Sequence, residues 1–561
     1  MSSHVPTRPR LSSGRRAPGA TRGLAVLVAL GLPATLAACS TASAGPQPET
    51  SAGPTPGGTI VHAHVQEPPC IFGGWIQQAY LSRQVLDSLV SAGEGGEVVP
   101  WLATDWSVSD DQLVWTFTLK EEVSFTDGTP LDAQAVVDNF EYWLNEGGNS
   151  TVAAYLADYY ASSRAVDPLT FELTLSAPYS ALLPVLSQAY FGIQSPTGLE
   201  RGAQASCEEP IGSGPFVVAG WERGSVIRFE RNPDYTSAPA NALHQGPAYV
   251  DGIEWRIVPD PVARFGALTT GEADVVYDVP SNQWALAESE FETQLYITPG
   301  RPVALGLNTV AGPFEDVRVR QAFAFATDRQ AAVESAFTGV VPFEGNGTVS
   351  QSTPGYAAEA ADDYPYDPDR ANELLDDAGW TEIDDDGVRS KDGVPLQVRI
   401  VYGAGTMITP EGATVLQNIQ EQARATGFDV ILVPATRDEL FSGAFSSPDS
   451  YDAKPGYWTS PTAGILYITF RQHLEESPNF SNSSFYNNPE VEQLILAANS
   501  TLDRAEQDRL YGQAQQILSD EAVSVGLYTQ TTSLAIDPAL RDVWLEQSQG
   551  EPVYHDAWFA Q

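Results

Sequence analysis

Between Trp115 and Leu144 the spacing of apolar residues changes from two to 3.6, and that change restricts the fold more than any other feature of the chain. Trp115, Phe117 and Leu119 alternate with Thr116, Thr118 and Lys120, the pattern of a half-buried strand. Asp127-Gly128 reads as a turn. Val136, Val137, Phe140, Trp143 and Leu144 then follow at i, i+1, i+4, i+7 and i+8, one face of a helix. The mixture recurs downstream. Val319, Ala322, Phe323 and Ala326 form a helical stripe. In "YDPDRANELLDDAGW", Asp367 suits the N-cap, Pro368 the first helical position and Gly379 the stop. Ala371, Leu374, Leu375 and Ala378 line one side of that helix, and Asn488-Pro489 repeats the device before "EVEQLILAA". Strands and helices interleaved over 561 residues, without an internal repeat, predict an α/β architecture long enough to divide into lobes.

The first 58 residues read differently. Arg8, Arg10, Arg15, Arg16 and Arg22 precede an apolar run from Leu24 to Ala38, and no acid occurs before Glu49. The run is about fifteen residues, shorter than the roughly twenty that span a bilayer. Leu36-Ala37-Ala38-Cys39 resembles the lipobox of bacterial lipoproteins, which implies cleavage before Cys39 and lipid on its sulfur. Residues 40 to 58 are small, polar and rich in Pro and Gly, a flexible tether. Residues 1–38 therefore read as a signal peptide and 39–58 as a linker. The body is expected outside the cytoplasm, held to the cell membrane by lipidated Cys39 without spanning it. A net charge of −43 argues against nucleic acid and against anionic lipid surfaces as partners. Cys70 and Cys207 are left in an oxidising compartment, where a disulfide between them is expected.

Four stretches together resemble the family 5 solute-binding proteins of ABC importers, the oligopeptide, dipeptide and nickel binders. They are "WTFTLKEEVSFTDGTPLDAQAVVDNFEYW", "PIGSGPFVVAGWERGSVIRFERNPDY", "LGLNTVAGPFEDVRVRQAFAFATDRQAAV" and "YDPDRANELLDDAGW". They occur in the family's order and near its spacing, between about residues 57 and 550. The resemblance implies a two-lobed periplasmic-binding-protein-like fold of type II with a ligand cleft between the lobes. Lobe I is expected over 59–301 with an extra subdomain at about 96–209, lobe II over 302–528, and a return to lobe I over 529–561. It also implies capture of a peptide or related polar organic solute by hinge closure, and delivery to ABC permease and ATPase subunits. A monomer without cofactor or catalytic residues is expected.

Ligand contacts are expected from loops that face the cleft. "PPCIFGGWIQQAY" offers Trp75, Gln77 and Tyr80, "KPGYWTSPTAGILYITF" offers Tyr457, Trp458 and Thr459, and the strand ending in "GLN" offers Asn308. Peptide-binding members of the family carry an aspartate a few residues before a Pro in the second of these segments. Here that place reads Gly456-Tyr457-Trp458-Thr459-Ser460-Pro461, and the nearest acid is Asp452. Either Asp452 or another acid takes over the amine, or the solute is a glycoside or an opine-like conjugate. A solute sensor without transport is the other alternative. His62 and His64 face one way on a strand but lack further metal ligands. "DDDGVRSKDG" reads as hairpin turns and not as a calcium loop. Ser213 in "GSG" lacks the strand-Ser-helix spacing of a hydrolase nucleophile.

Overall fold

In the computed structural model the described residues are 53–72, 79–146, 151–345, 347–361, 364–405 and 407–560. Cys39, Trp75 and Gln77 lie outside them. The period-two stretch forms the strand Val114–Leu119 with Trp115, Phe117 and Leu119 buried, and the period-3.6 stretch forms the helix Ala133–Glu141. The Asp132 carboxylate accepts from Ala135 N at 3.0 Å and starts that helix. The strand joins Ala103–Val108, Thr170–Leu175 and Tyr160–Asp167 in an antiparallel four-stranded sheet. The helix Pro368–Asp377 is capped by Asp367 and stopped by Gly379 at φ +88°. Residues 382 to 395 form a three-stranded antiparallel sheet.

Two larger sheets make the two lobes. The first has seven strands in the order Glu292–Ile297, Thr531–Ile536, Val275–Tyr277, Thr59–His64, Gly252–Ile257, Val226–Arg231, Phe216–Glu222. Its central strand, Thr59–His64, is parallel to both neighbours. The second has five strands in the order Asp429–Ala435, Gln397–Gly403, Ala453–Thr459, Gly300–Leu307, Ser524–Tyr528. The chain leaves the first sheet after Ile297 and enters the second at Gly300. It returns between Tyr528 and Thr531. The two short crossings lie side by side, with Thr298 N donating to the Gln530 carbonyl at 2.9 Å. Two adjacent crossings of two residues each are a hinge geometry, since few dihedrals connect the lobes.

Each lobe has its own apolar centre. Val303, Leu305 and Leu307 pack with Phe323, Ile419 and Val525 on one face of the five-stranded sheet. The centre of the first lobe runs through Ile60, Trp255, Phe117 and Phe140, and continues into Phe470, Ile495 and Tyr511 of the helices that cover the second lobe. Asn499 Nδ2 donates to Tyr159 OH at 2.8 Å on this side. The lobes are therefore in contact along one edge.

Gly212 and Gly214 both lack positive φ. Their role is close approach: a Cβ on either would collide with the Val85 backbone at the end of the helix Ala79–Val85. Cys70 and Cys207 are joined by a disulfide with Cα atoms 5.0 Å apart. The buried Asp87 carboxylate accepts from Ser213 Oγ at 3.0 Å and from Ser237 Oγ. Burial outweighs these bonds and raises its pKa to about 6. The folded state therefore holds this proton more tightly than the unfolded chain does. The stability it confers is complete below about pH 4 and is lost as pH rises through 6. Asp87→Asn is expected to flatten that decline, on the order of 3 kcal/mol, in urea unfolding series at pH 4, 5 and 7.

Candidate functional site

Beside the hinge, aromatic and polar side chains from both lobes converge. His62 and His64 project from the central strand of the first sheet. His62 stacks on Trp255 at 3.7 Å, and its Nδ1 pairs with Tyr554 OH at 2.5 Å. Its Nε2 lies 3.3 Å from His64 Nδ1. The His64 ring meets Tyr80 at 4.2 Å and Tyr277 at 4.3 Å. Burial first, followed by the Arg264 charge for His62 and by His62 and then Arg264 for His64, holds both histidines well below their ordinary pKa, so both rings are neutral. The second lobe contributes Tyr457 and Tyr528. Tyr457 is half-buried and close enough for its charge to bear on Tyr80, Tyr277 and Tyr528. His64 Nε2, Tyr80 OH, Tyr528 OH and Thr529 Oγ1 are all buried without a hydrogen-bond partner. Each such atom costs about 1–3 kcal/mol while it stays unpaired, so the four are available to a polar group that enters the junction. A cavity of about 60 Å³ opens next to them, lined by Arg264, Asp278, Glu411, Tyr528, Thr529 and Gln530.

The expected residues divide. Tyr80 and Tyr457 meet in this cluster. Trp458 and Thr459 lie further along the same strand and grip the first lobe. Trp458 Nε1 donates to Tyr155 OH at 3.0 Å, Tyr155 OH donates to the Thr459 carbonyl, and Thr459 Oγ1 pairs with Tyr190 OH at 3.3 Å. Asn308 is committed elsewhere. Its Nδ2 donates to the Pro448 and Tyr451 carbonyls, and its Oδ1 accepts from Val310 N and Ala311 N. All four of its hydrogen-bonding positions are filled by backbone, which leaves none for a ligand. Asp452 is likewise taken: Arg399 binds its carboxylate through Nε at 2.9 Å and Nη2 at 3.1 Å.

Sequence reasoning passed over two cations. Lys454, Gly456 and Trp458 share one face of the strand Ala453–Thr459, and Arg301 pairs with Trp458 on that face. Arg301 is 5% exposed, with its guanidinium 5.0 Å over the Phe470 ring. Its Nε and Nη2, the two donors on one edge of the fork, have no partner. Lys454 sits 5.0 Å over Tyr451. Burial brings Arg301 down to about 10, and burial with the Arg301 charge brings Lys454 down to about 8. No carboxylate contributes to either shift. Between them, a Cβ on Gly456 would meet no atom within 4 Å. The space is open, cationic and floored by a glycine. Its signal in the sequence was slight: Lys454 is one of three lysines and is followed by an uncharged stretch from Pro455 to Phe470.

A buried acid also faces this junction. Glu551 is raised well above its ordinary pKa by burial and by neighbouring Glu546, and its Oε2 has no partner. It bears electrostatically on Tyr190 and Tyr277.

The family of bacterial extracellular solute-binding proteins, family 5 (middle region), matches residues 97–482, more than half of the chain. The glutathione-binding protein GsiB of Salmonella typhimurium is 28% identical over 459 residues, covering 80% of this chain and 84% of its own length. NikA from Brucella suis, solved in complex with Fe(III)-EDTA, is similar with a TM-score of 0.77 at 23% identity, over 89% of this chain and 99% of NikA. The oligopeptide-binding protein AppA from Bacillus subtilis, in complex with a nonapeptide, gives 0.75 at 22% identity, over 91% and 100%. Two α/β lobes joined by paired crossings, with polar groups left open between them, are thus the frame of a receptor, and the chain belongs to the bacterial extracellular solute-binding proteins of family 5.

Proposed function

We propose that this protein captures a peptide, or a similar amino-acid conjugate with a free carboxylate, between its lobes and delivers it to the permease and ATPase of an ABC importer. The observation that carries the solute class is the Arg301 edge, unpartnered beside Lys454 over the open space at Gly456. A guanidinium edge of Nε and Nη2 matches the two oxygens of a carboxylate. Glu551 takes the place of the missing aspartate as the acid for an ammonium group, since Asp452 is bound to Arg399. His64, Tyr80, Tyr277 and Tyr457 supply the aromatic surface at the junction of the lobes. Ligand touches both lobes only when they close, so binding shifts the population towards the closed form. No chemistry is performed on the solute. The GsiB name and the AppA complex point to the same class. An opine-like conjugate, which also carries carboxylates, fits the same cations; a neutral glycoside leaves them unmatched.

The lipid on Cys39 belongs to this reading as well, and the mass of the N-terminal peptide of membrane-derived protein tests it. No described helix is long and apolar enough to cross a membrane. Mass spectrometry of solutes that co-purify with the protein tests the ligand class, followed by thermal shifts with short peptides as free acids and as C-terminal amides. Shifts from neither form, with no peptide co-purified, would reject the peptide reading. Tyr457→Ala is expected to weaken the binding of any free-acid peptide found in this way at least about tenfold, measured by calorimetry.

A further inference from the structure

The C-terminal return places two buried acids side by side, and among the described residues one cation faces them. Glu546 is 1% exposed and Glu551 5%. A tight turn joins them, with Glu546 N donating to the Glu551 carbonyl at 2.7 Å and Gly550 N to the Glu546 carbonyl at 2.8 Å. The cation is Arg83, in the helix Ala79–Val85, whose Nη2 lies 3.6 Å from Glu546 Oε1. Glu546 is held as an anion, because its Oε2 also accepts from Ser548 Oγ at 2.6 Å and from Gln549 N at 3.3 Å. Glu551 Oε2 has no partner. The other titratable groups that bear on Glu551 are Tyr190, Tyr277 and Tyr296. Burial raises each of these phenols above its ordinary pKa, so none of them supplies charge.

Two carboxylates against one guanidinium would leave a net negative charge out of water, which is costly. A proton on Glu551 removes it, since Arg83, ionised Glu546 and neutral Glu551 sum to zero. Burial first, and the Glu546 charge after it, favour that proton. A solute ammonium at Glu551 changes the count. If the proton stayed, one positive charge would be buried without an opposite. If it leaves, Arg83 and the ammonium balance Glu546 and Glu551, and the site is neutral again.

We propose that capture of a free-amine solute releases one proton, which Glu551 holds in the empty protein and passes to solvent as the ammonium group arrives. This inference rests on the reading of Glu551 as the acid for that group. Affinity for a free amine therefore rises with pH, until Glu551 is ionised before the solute arrives. An N-acetylated solute brings no charge and exchanges no proton.

The test is calorimetry on the full protein at pH 5.5 and 6.5, in phosphate and in bis-tris, two buffers of unlike ionisation enthalpy. Trialanine is the probe, and a co-purified free-amine peptide replaces it if one is found. In this range the peptide's own amine stays protonated and its carboxylate ionised. About one proton per bound peptide is expected to reach the buffer at pH 5.5, with affinity rising up to about tenfold by pH 6.5. Glu551→Gln keeps the shape and is neutral at every pH. It is expected to bind the peptide more weakly, release no proton and lose the dependence on pH. Asp87, which also titrates near pH 6, is untouched in that variant, so the two acids are told apart. Binding of the free-amine peptide without proton release would overturn the proposal, and so would undiminished release from Glu551→Gln or from the parent with N-acetyltrialanine. A protein that binds no free-amine peptide would fail the functional reading, and this inference with it.

Discussion

Arg301→Gln is expected to weaken the binding of free-acid peptides about 100-fold and to leave the weaker binding of their C-terminal amides almost unchanged. The reason is a competition of magnitudes. In the ligand-free protein the guanidinium gains from the Phe470 face, a contact worth about 0.5–2 kcal/mol. Against this stands the cost of burying an unpaired charge, several kcal/mol per ion. The cation is a net burden until a carboxylate arrives, when truncating one partner of a buried charged pair costs about 2–5 kcal/mol. The same variant is therefore expected to raise Tm without ligand. Lys454→Met is expected to follow it more weakly, and Gly456→Leu, which keeps both charges, to block binding by filling the space above the strand. A fall in Tm together with unchanged affinity for free-acid peptides would show that Arg301 is a strut. Equal affinity for acids and amides would remove the carboxylate and leave solute binding intact.

Replacing Cys70 and Cys207 by Ser is expected to lower stability by about 5 kcal/mol. The disulfide closes a loop of 137 positions, and in the loop-entropy account the gain grows with the logarithm of that length. The bond also sits where Ile71 N donates to the Cys207 carbonyl at 2.8 Å, so it anchors the segment after the strand Thr59–His64 to the helix Ala203–Glu208. The reduced parent and the double variant are expected to unfold at the same lower urea concentration. A double variant with the parent's midpoint would show that packing alone holds this region.

Local structure was legible wherever one short stretch carries both its periodicity and its punctuation. The helix Pro368–Asp377 needed only Asp367, Pro368 and Gly379, because caps and stops act within a turn. Asn308 shows the opposite case. Its position at a strand end suggested the cleft, but only its four backbone partners, supplied by residues up to 143 positions away, reveal a structural task. Glycines 212 and 214 are opaque in the sequence for a related reason. A close approach of another segment leaves no local mark, whereas a turn does.

By itself the sequence determined the alternation of strands and helices and, through its motifs, the two-lobed class. These are consequences of neighbouring residues, whose spacing fixes which side of an element is apolar. Only the tertiary structure decided which polar atoms stay unpaired. Arg301 and Lys454 look like any surface cations until the strand register places them on one face over Gly456 with no acid near. His244 and Asp556 meet across 312 positions, and nothing local requires it. Charge in a buried site depends on what the rest of the chain fails to supply, and that is a property of the assembled fold.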